Sequence, residues 1–148
     1  MCSHYKPVTQ INQLRQAFGL DQLEQIGKPD MWPGYEGLFI RPHPNAEVGD
    51  EAVPAREAVT GHWGLIPHWS KDGKVKGTFN ARSETIAEKP TFRDAWKKGQ
   101  RCIIPAMSVF EPDWRSGKAV AAEVSRADGA PMGIAGIWSA WRSPAGWA

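Results

Sequence analysis

The chain has 148 residues, 18 Lys and Arg against 16 Asp and Glu, and a net charge of +2. Charged residues make up 23% and hydrophobic residues 41%, which excludes a wholly disordered chain and fits a single domain with a real core. Apolar runs stay well short of the roughly 18 residues of a membrane helix, and residues 1–6 carry no apolar signal core, so a cytoplasmic protein without a membrane partner is expected.

In chain order, Thr9 caps a predicted helix through about Phe18, with Ile11, Leu14 and Phe18 on one face and Gly19 as its stop. A short turn over residues 21–26 and a loop over 28–33 follow. Leu38-Phe39-Ile40 reads as a strand between Gly37 and Pro42, and residues 42–51 as a loop. Residues 55–60 and 62–66 look like a strand pair around Gly61. Residues 67–77, with Lys71, Lys74 and Lys76, read as a basic surface loop. A polar run, Thr78-Phe79-Asn80-Ala81-Arg82-Ser83-Glu84-Thr85, precedes a helix predicted over residues 90–98, with Phe92 and Trp96 one turn apart and Gly99 as its stop. Residues 101–105 and 109–111 read as two short strands. Residues 118–126 and 132–141, joined through Asp128-Gly129, have the pattern of a β-hairpin. Ser143-Pro144-Ala145-Gly146 reads as a turn with no following strand. An apolar strand at residues 134–138 so near the end would leave an exposed sheet edge, which proteins usually avoid. The expectation is therefore a fragment of something longer.

Eight tryptophans stand out: Trp32, Trp63, Trp69, Trp96, Trp114, Trp138, Trp141 and Trp147. Core filling is expected for most, with one or two left to stack on bases or a ligand. Two cysteines, Cys2 and Cys102, cannot build a disulfide framework, and Cys102 in an apolar strand reads as an inert core residue. His4, His43, His62 and His68 lack metal-ligand spacing, so no metal and no cofactor are expected. No Walker loop, GxGxxG or GxSxG occurs, which leaves nucleotide binding and α/β-hydrolase chemistry unsupported.

Cys2 is the residue with the richest chemistry. Removal of Met1 gives an N-terminal cysteine whose α-amine titrates near pH 8 and whose thiol titrates near 8.5. An aldehyde meeting that pair forms an imine and closes to a thiazolidine. In an extended segment Asn80, Arg82 and Glu84 point to one side, where an amide, a guanidinium and a carboxylate suit a phosphate and a carbonyl; an Arg82–Glu84 surface pair is the equal alternative. Glu111, after Val109-Phe110 and before Pro112, is a candidate general acid or base. His68-Trp69 beside Lys71 suits base stacking with phosphate contacts, or equally a packed Trp beside a solvated loop.

Together these residues resemble the SOS response-associated peptidase (SRAP) family. The matching pieces are Met1-Cys2, Trp63-Gly64-Leu65-Ile66-Pro67 with Trp69, Asn80-Ala81-Arg82-Ser83-Glu84-Thr85, Arg101-Cys102-Ile103-Ile104-Pro105-Ala106, and Phe110-Glu111. The resemblance implies an α+β fold, a barrel-like, mainly antiparallel sheet with flanking helices. It implies a protein that binds single-stranded DNA at abasic sites; a monomer is expected. There the N-terminal cysteine traps the ring-opened sugar aldehyde as a thiazolidine crosslink that shields the lesion. By position, Cys2 is the nucleophile, Asn80 holds the open sugar and the N-terminus, and Glu111 assists ring opening. Arg82 is a phosphate ligand, and Trp69 lies in the base-stacking segment beside His68 and Lys71. The family has Gly-Arg after the cysteine where this chain has Ser3-His4, which puts His4 at a DNA-contact position. The family follows the glutamate with Trp, here Pro112, and carries a later active-site histidine that none of the four here matches. Two other readings remain: a single-stranded nucleic-acid module that uses Trp69 and Arg82 without chemistry, and a thiol peptidase.

Overall fold

The computed structural model describes residues 2–20, 28–49 and 51–147. The turn expected over residues 21–26 lies outside them. Eight strands and two helices occur among the described residues: β1 (Tyr5–Pro7), α1 (Ile11–Phe18), β2 (Glu36–Pro42), β3 (Arg56–His62), α2 (Pro90–Lys97), β4 (Arg101–Asp113), β5 (Val120–Ser125), β6 (Met132–Ile137), β7 (Arg142–Ser143) and β8 (Gly146–Trp147). β1 to β6 form one antiparallel sheet that curls into a half-barrel, so the α+β expectation holds.

The sheet is organised by β4. The two short strands expected at residues 101–105 and 109–111 are one strand of 13 residues. One edge of β4 takes β2, at Ile40 opposite Ile103, and then β1. The other edge takes β6 and β5. Residues 118–126 and 132–141 therefore do not form a hairpin with each other. β5 and β6 run end to end along β4, and the reversal is the turn at Trp114–Gly117. Asp128-Gly129 instead sits in an excursion of residues 126–131, closed by Arg126 and Asp128. The cause is length: a strand of 13 residues spans roughly 40 Å, enough for two six-residue partners in line.

A bulge faces that excursion. Lys6 pairs with Ser108 and Pro7 with Ala106, so Met107 is an extra residue in β4. It reverses which side chains face inward. Ile104 and Ala106 lie on the core face before it, and Val109 joins the same cluster after it. Alternation then turns Glu111 to the core face and Ser108 and Phe110 to the back.

Gly61 does not separate two strands. It lies within β3, which pairs with β2 along its whole length, and residues 63–66 leave the sheet. The turn at residues 143–146 is followed by a strand after all, the two-residue β8. α1 is not capped by Thr9; Gln10 is the N-cap, without a side-chain bond, and left-handed Gly19 (φ 67°) ends the helix. Leu14 is its buried residue. α2 starts at Pro90 and buries Phe92 and Ala95.

The tryptophans depart from expectation. Trp141 is buried, whereas Trp32, Trp69 and Trp114 are 45%, 50% and 63% exposed. Trp63, Trp96 and Trp138 are half-buried. The core is built largely from smaller residues and Tyr5, Met31 and Phe92.

Candidate functional site

The site forms where the N-terminal segment, paired along the edge of β4, brings Cys2 to the core cluster. Half-buried Cys2 packs against the cluster of Tyr5, Met31 and Ala106. Its thiol donates to the His4 carbonyl at 3.4 Å, and its own carbonyl accepts the Asn80 side-chain amide at 2.7 Å. The charge of Glu111, half-buried on β4, acts on the thiol. Burial first, and then the Glu111 carboxylate, push the Cys2 thiol above its ordinary range; backbone hydrogen bonding at His4 and Phe110 pulls the other way. The buried Tyr5 phenol is pushed up to about 12, first by burial and then by Cys2.

Trp63 brings Asn80 to this place. Its ring meets Tyr5 edge-on at 5.1 Å and Phe79 at 6.2 Å, and its Nε1 donates to the Phe79 carbonyl at 3.1 Å. One side chain thus joins β1 to the residue before Asn80. The shared face expected for Asn80, Arg82 and Glu84 does not extend that far. The Thr85 amide bonds the Arg82 carbonyl, and a turn carries Glu84 out of the extended run. Arg82 itself is exposed two residues from Asn80.

His68 and Trp69 lie along a groove between residues 65–69, α2 and Ser139-Ala140. Half-exposed Trp69 meets the His68 ring edge-on at 4.9 Å, and His68 stands 3.7 Å from Asp94 of α2. Lys71 is exposed in the basic loop. That loop is pinned by Trp141, whose Nε1 donates to the Ser70 carbonyl at 2.9 Å and whose ring lies against Gly73 (φ 70°).

His4 is on the back of β4. Its ring is sandwiched between Trp32 at 4.0 Å and Phe110 at 4.1 Å, nearly parallel to both, and its Nε2 lies 2.8 Å from Asp30. Trp32, Asp30 and Trp63 were not among the site residues expected from sequence. No local pattern marks Trp32 or Asp30, and Trp63 stood out only within the family-matching piece Trp63-Gly64-Leu65-Ile66-Pro67; the fold brings all three to the N-terminal segment. Among the described residues no group of three or more His, Cys, Asp or Glu side chains is arranged to hold a metal.

The model of the SOS response associated peptidase (SRAP) family matches residues 1–148. The chain belongs to that family. Among curated SRAP-type relatives, the abasic site processing protein YoaM of Bacillus subtilis is 31% identical over 153 residues, covering 99% of this chain and 63% of its own length. The abasic site processing protein YoqW of the same organism is 29% identical over 148 residues with the same two coverages. The chain therefore spans 63% of the length of both. A crystal structure of a protein from Bordetella bronchiseptica is 47% identical, with a TM-score of 0.84, covering 99% of this chain and 68% of that one.

Proposed function

We propose that this SRAP chain processes abasic sites in single-stranded DNA by covalent capture through Cys2. The observation that carries the reading is the Asn80–Cys2 hydrogen bond, because it holds Cys2 in place where the charge of Glu111 acts on its thiol. The relatives named as abasic site processing proteins support it.

Hydrolysis of the Met1–Cys2 bond frees the α-amine. The amine adds to the C1 aldehyde of the ring-opened deoxyribose and loses water to give an imine. The thiol then adds to the imine carbon; a C–S bond forms and the thiol proton passes to the nitrogen. Amine and thiol belong to one residue, so the second step is intramolecular. Glu111 passes the proton that opens the sugar hemiacetal. A thiol held neutral by burial favours imine formation first, with the sulfur closing the ring afterwards. Arg82, Lys71 and Trp69 supply phosphate contacts and a stacking surface.

The test is a denaturing gel of the protein incubated with an oligonucleotide carrying one abasic site. A slow-migrating covalent band is expected. It disappears with Cys2→Ser and with a tetrahydrofuran abasic analogue, which has no aldehyde. DNA affinity that persists in Cys2→Ser, with no band from the parent protein, would instead favour a binding module using Trp69 and Arg82.

A further inference from the structure

We propose that His4 is a positioning residue for Cys2, acting from the opposite face of the sheet. The inference rests on the reading of Cys2 as the trapping nucleophile. Four layers stack behind β4: Trp32, His4, Phe110 and Lys6, with the Lys6 Nζ 5.6 Å from the Phe110 ring centre. Both faces of the His4 ring are covered, its Nε2 is engaged by Asp30, and its side chain is 16% exposed. A ring so enclosed is poorly presented to a DNA phosphate.

Its backbone faces the chemistry. The His4 carbonyl accepts the Phe110 amide at 3.0 Å and the Cys2 thiol at 3.4 Å. Clamping the ring between Trp32 and Phe110 therefore fixes the carbonyl that orients the thiol. Phe110 precedes Glu111, so the same clamp sets the nucleophile against its acid/base partner. Lys6 and Glu123 form the next ion pair on this face, at 3.1 Å, and Ser108 also bonds Glu123. The back face is thus a continuous brace behind the site.

The test compares His4→Ala with His4→Phe, which keeps a flat ring and loses the polar edge. Single-turnover crosslinking is measured across a range of abasic DNA concentrations. His4→Ala is expected to lower the maximal rate about ten- to a hundredfold while leaving the half-saturating DNA concentration within about twofold. His4→Phe is expected to recover most of that rate. If both variants raise the half-saturating concentration and keep the maximal rate, His4 is a DNA contact and the proposal is overturned. If His4→Ala does not fold, His4→Phe still decides between the two.

Alkylation of Cys2 by iodoacetamide in a Cys102→Ser background separates this proposal from the function it rests on. Release of the clamp solvates the thiol, so His4→Ala is expected to speed alkylation several-fold at neutral pH, and His4→Phe much less. Equal alkylation rates in all three proteins would contradict the positioning role even if no crosslink forms. A parent protein that does not crosslink, with alkylation changed as expected, would overturn the trapping reading alone.

Discussion

The side-chain amide of Asn80 reaches the Cys2 carbonyl across 78 positions of sequence and binds it at 2.7 Å. The bond ties Cys2 directly to the segment that Trp63 already links to β1 through Tyr5 and Phe79. Asn80→Ala leaves the carbonyl unpaired and the N-terminus free to swing. Trapping is expected to slow about tenfold or more, whereas stability falls by only about 1 kcal/mol, the usual net worth of one such bond. Asn80→Asp sets a carboxylate against the carbonyl and is expected to be slower still. Crosslinking time courses beside thermal melts check both; an unchanged rate with reduced stability would make the bond purely structural.

Glu111 acts on the thiol in a direction that can be read separately from catalysis. Its negative charge disfavours thiolate, so Glu111→Gln is expected to bring the Cys2 pKa down. Iodoacetamide alkylation near pH 7.5 then becomes faster, while crosslinking becomes slower for want of a proton carrier. Both rates falling together would place Glu111 away from the thiol.

Stability should decline in alkali for a defined reason. Burial raises the Cys102 thiol from 9.0 to about 11. Above pH 9 the unfolded thiol ionises while the folded one stays protonated, so folding loses free energy as pH rises through that interval. Cys102→Ser removes this group from the titration. Denaturant midpoints measured from pH 8 to 11 are expected to fall less steeply in the variant. Tyr5, held up to about 12, continues the decline above pH 10 in both proteins.

Trp141 anchors the basic loop from outside it. Trp141→Phe removes the bond to Ser70 and part of the wall against Gly73, at a cost of about 1–2 kcal/mol. DNA affinity is expected to weaken with it, because Trp69 and Lys71 ride on that loop. Titrations at several salt concentrations check the cause: a shallower salt slope means lost phosphate contacts. Unchanged affinity would take the loop out of the DNA interface.

Much of this was readable in the chain before folding. Pro90 and Gly99 bound α2 because their backbone preferences are local. Cys2 and Asn80 stood out by chemistry, and the fold brings the two into one hydrogen bond. The continuous β4 was not readable, because Pro105 and the Met107 bulge interrupt the strand pattern while neighbouring strands on both edges carry it through. The Asp128-Gly129 signal was genuine turn chemistry, but length along β4, not the turn, chose the partners of β5 and β6. The surroundings of His4 were not readable either, because its contacts with Trp32, Asp30 and Phe110 are set only by tertiary structure.

The central claim is covalent capture by Cys2, and an intact-mass spectrum after incubation with single-stranded DNA bearing one abasic site tests it most directly. The account predicts protein lacking Met1, heavier by the mass of the DNA less one water, and no such species from Cys2→Ser. Met-less protein left unshifted while the DNA is bound would contradict it.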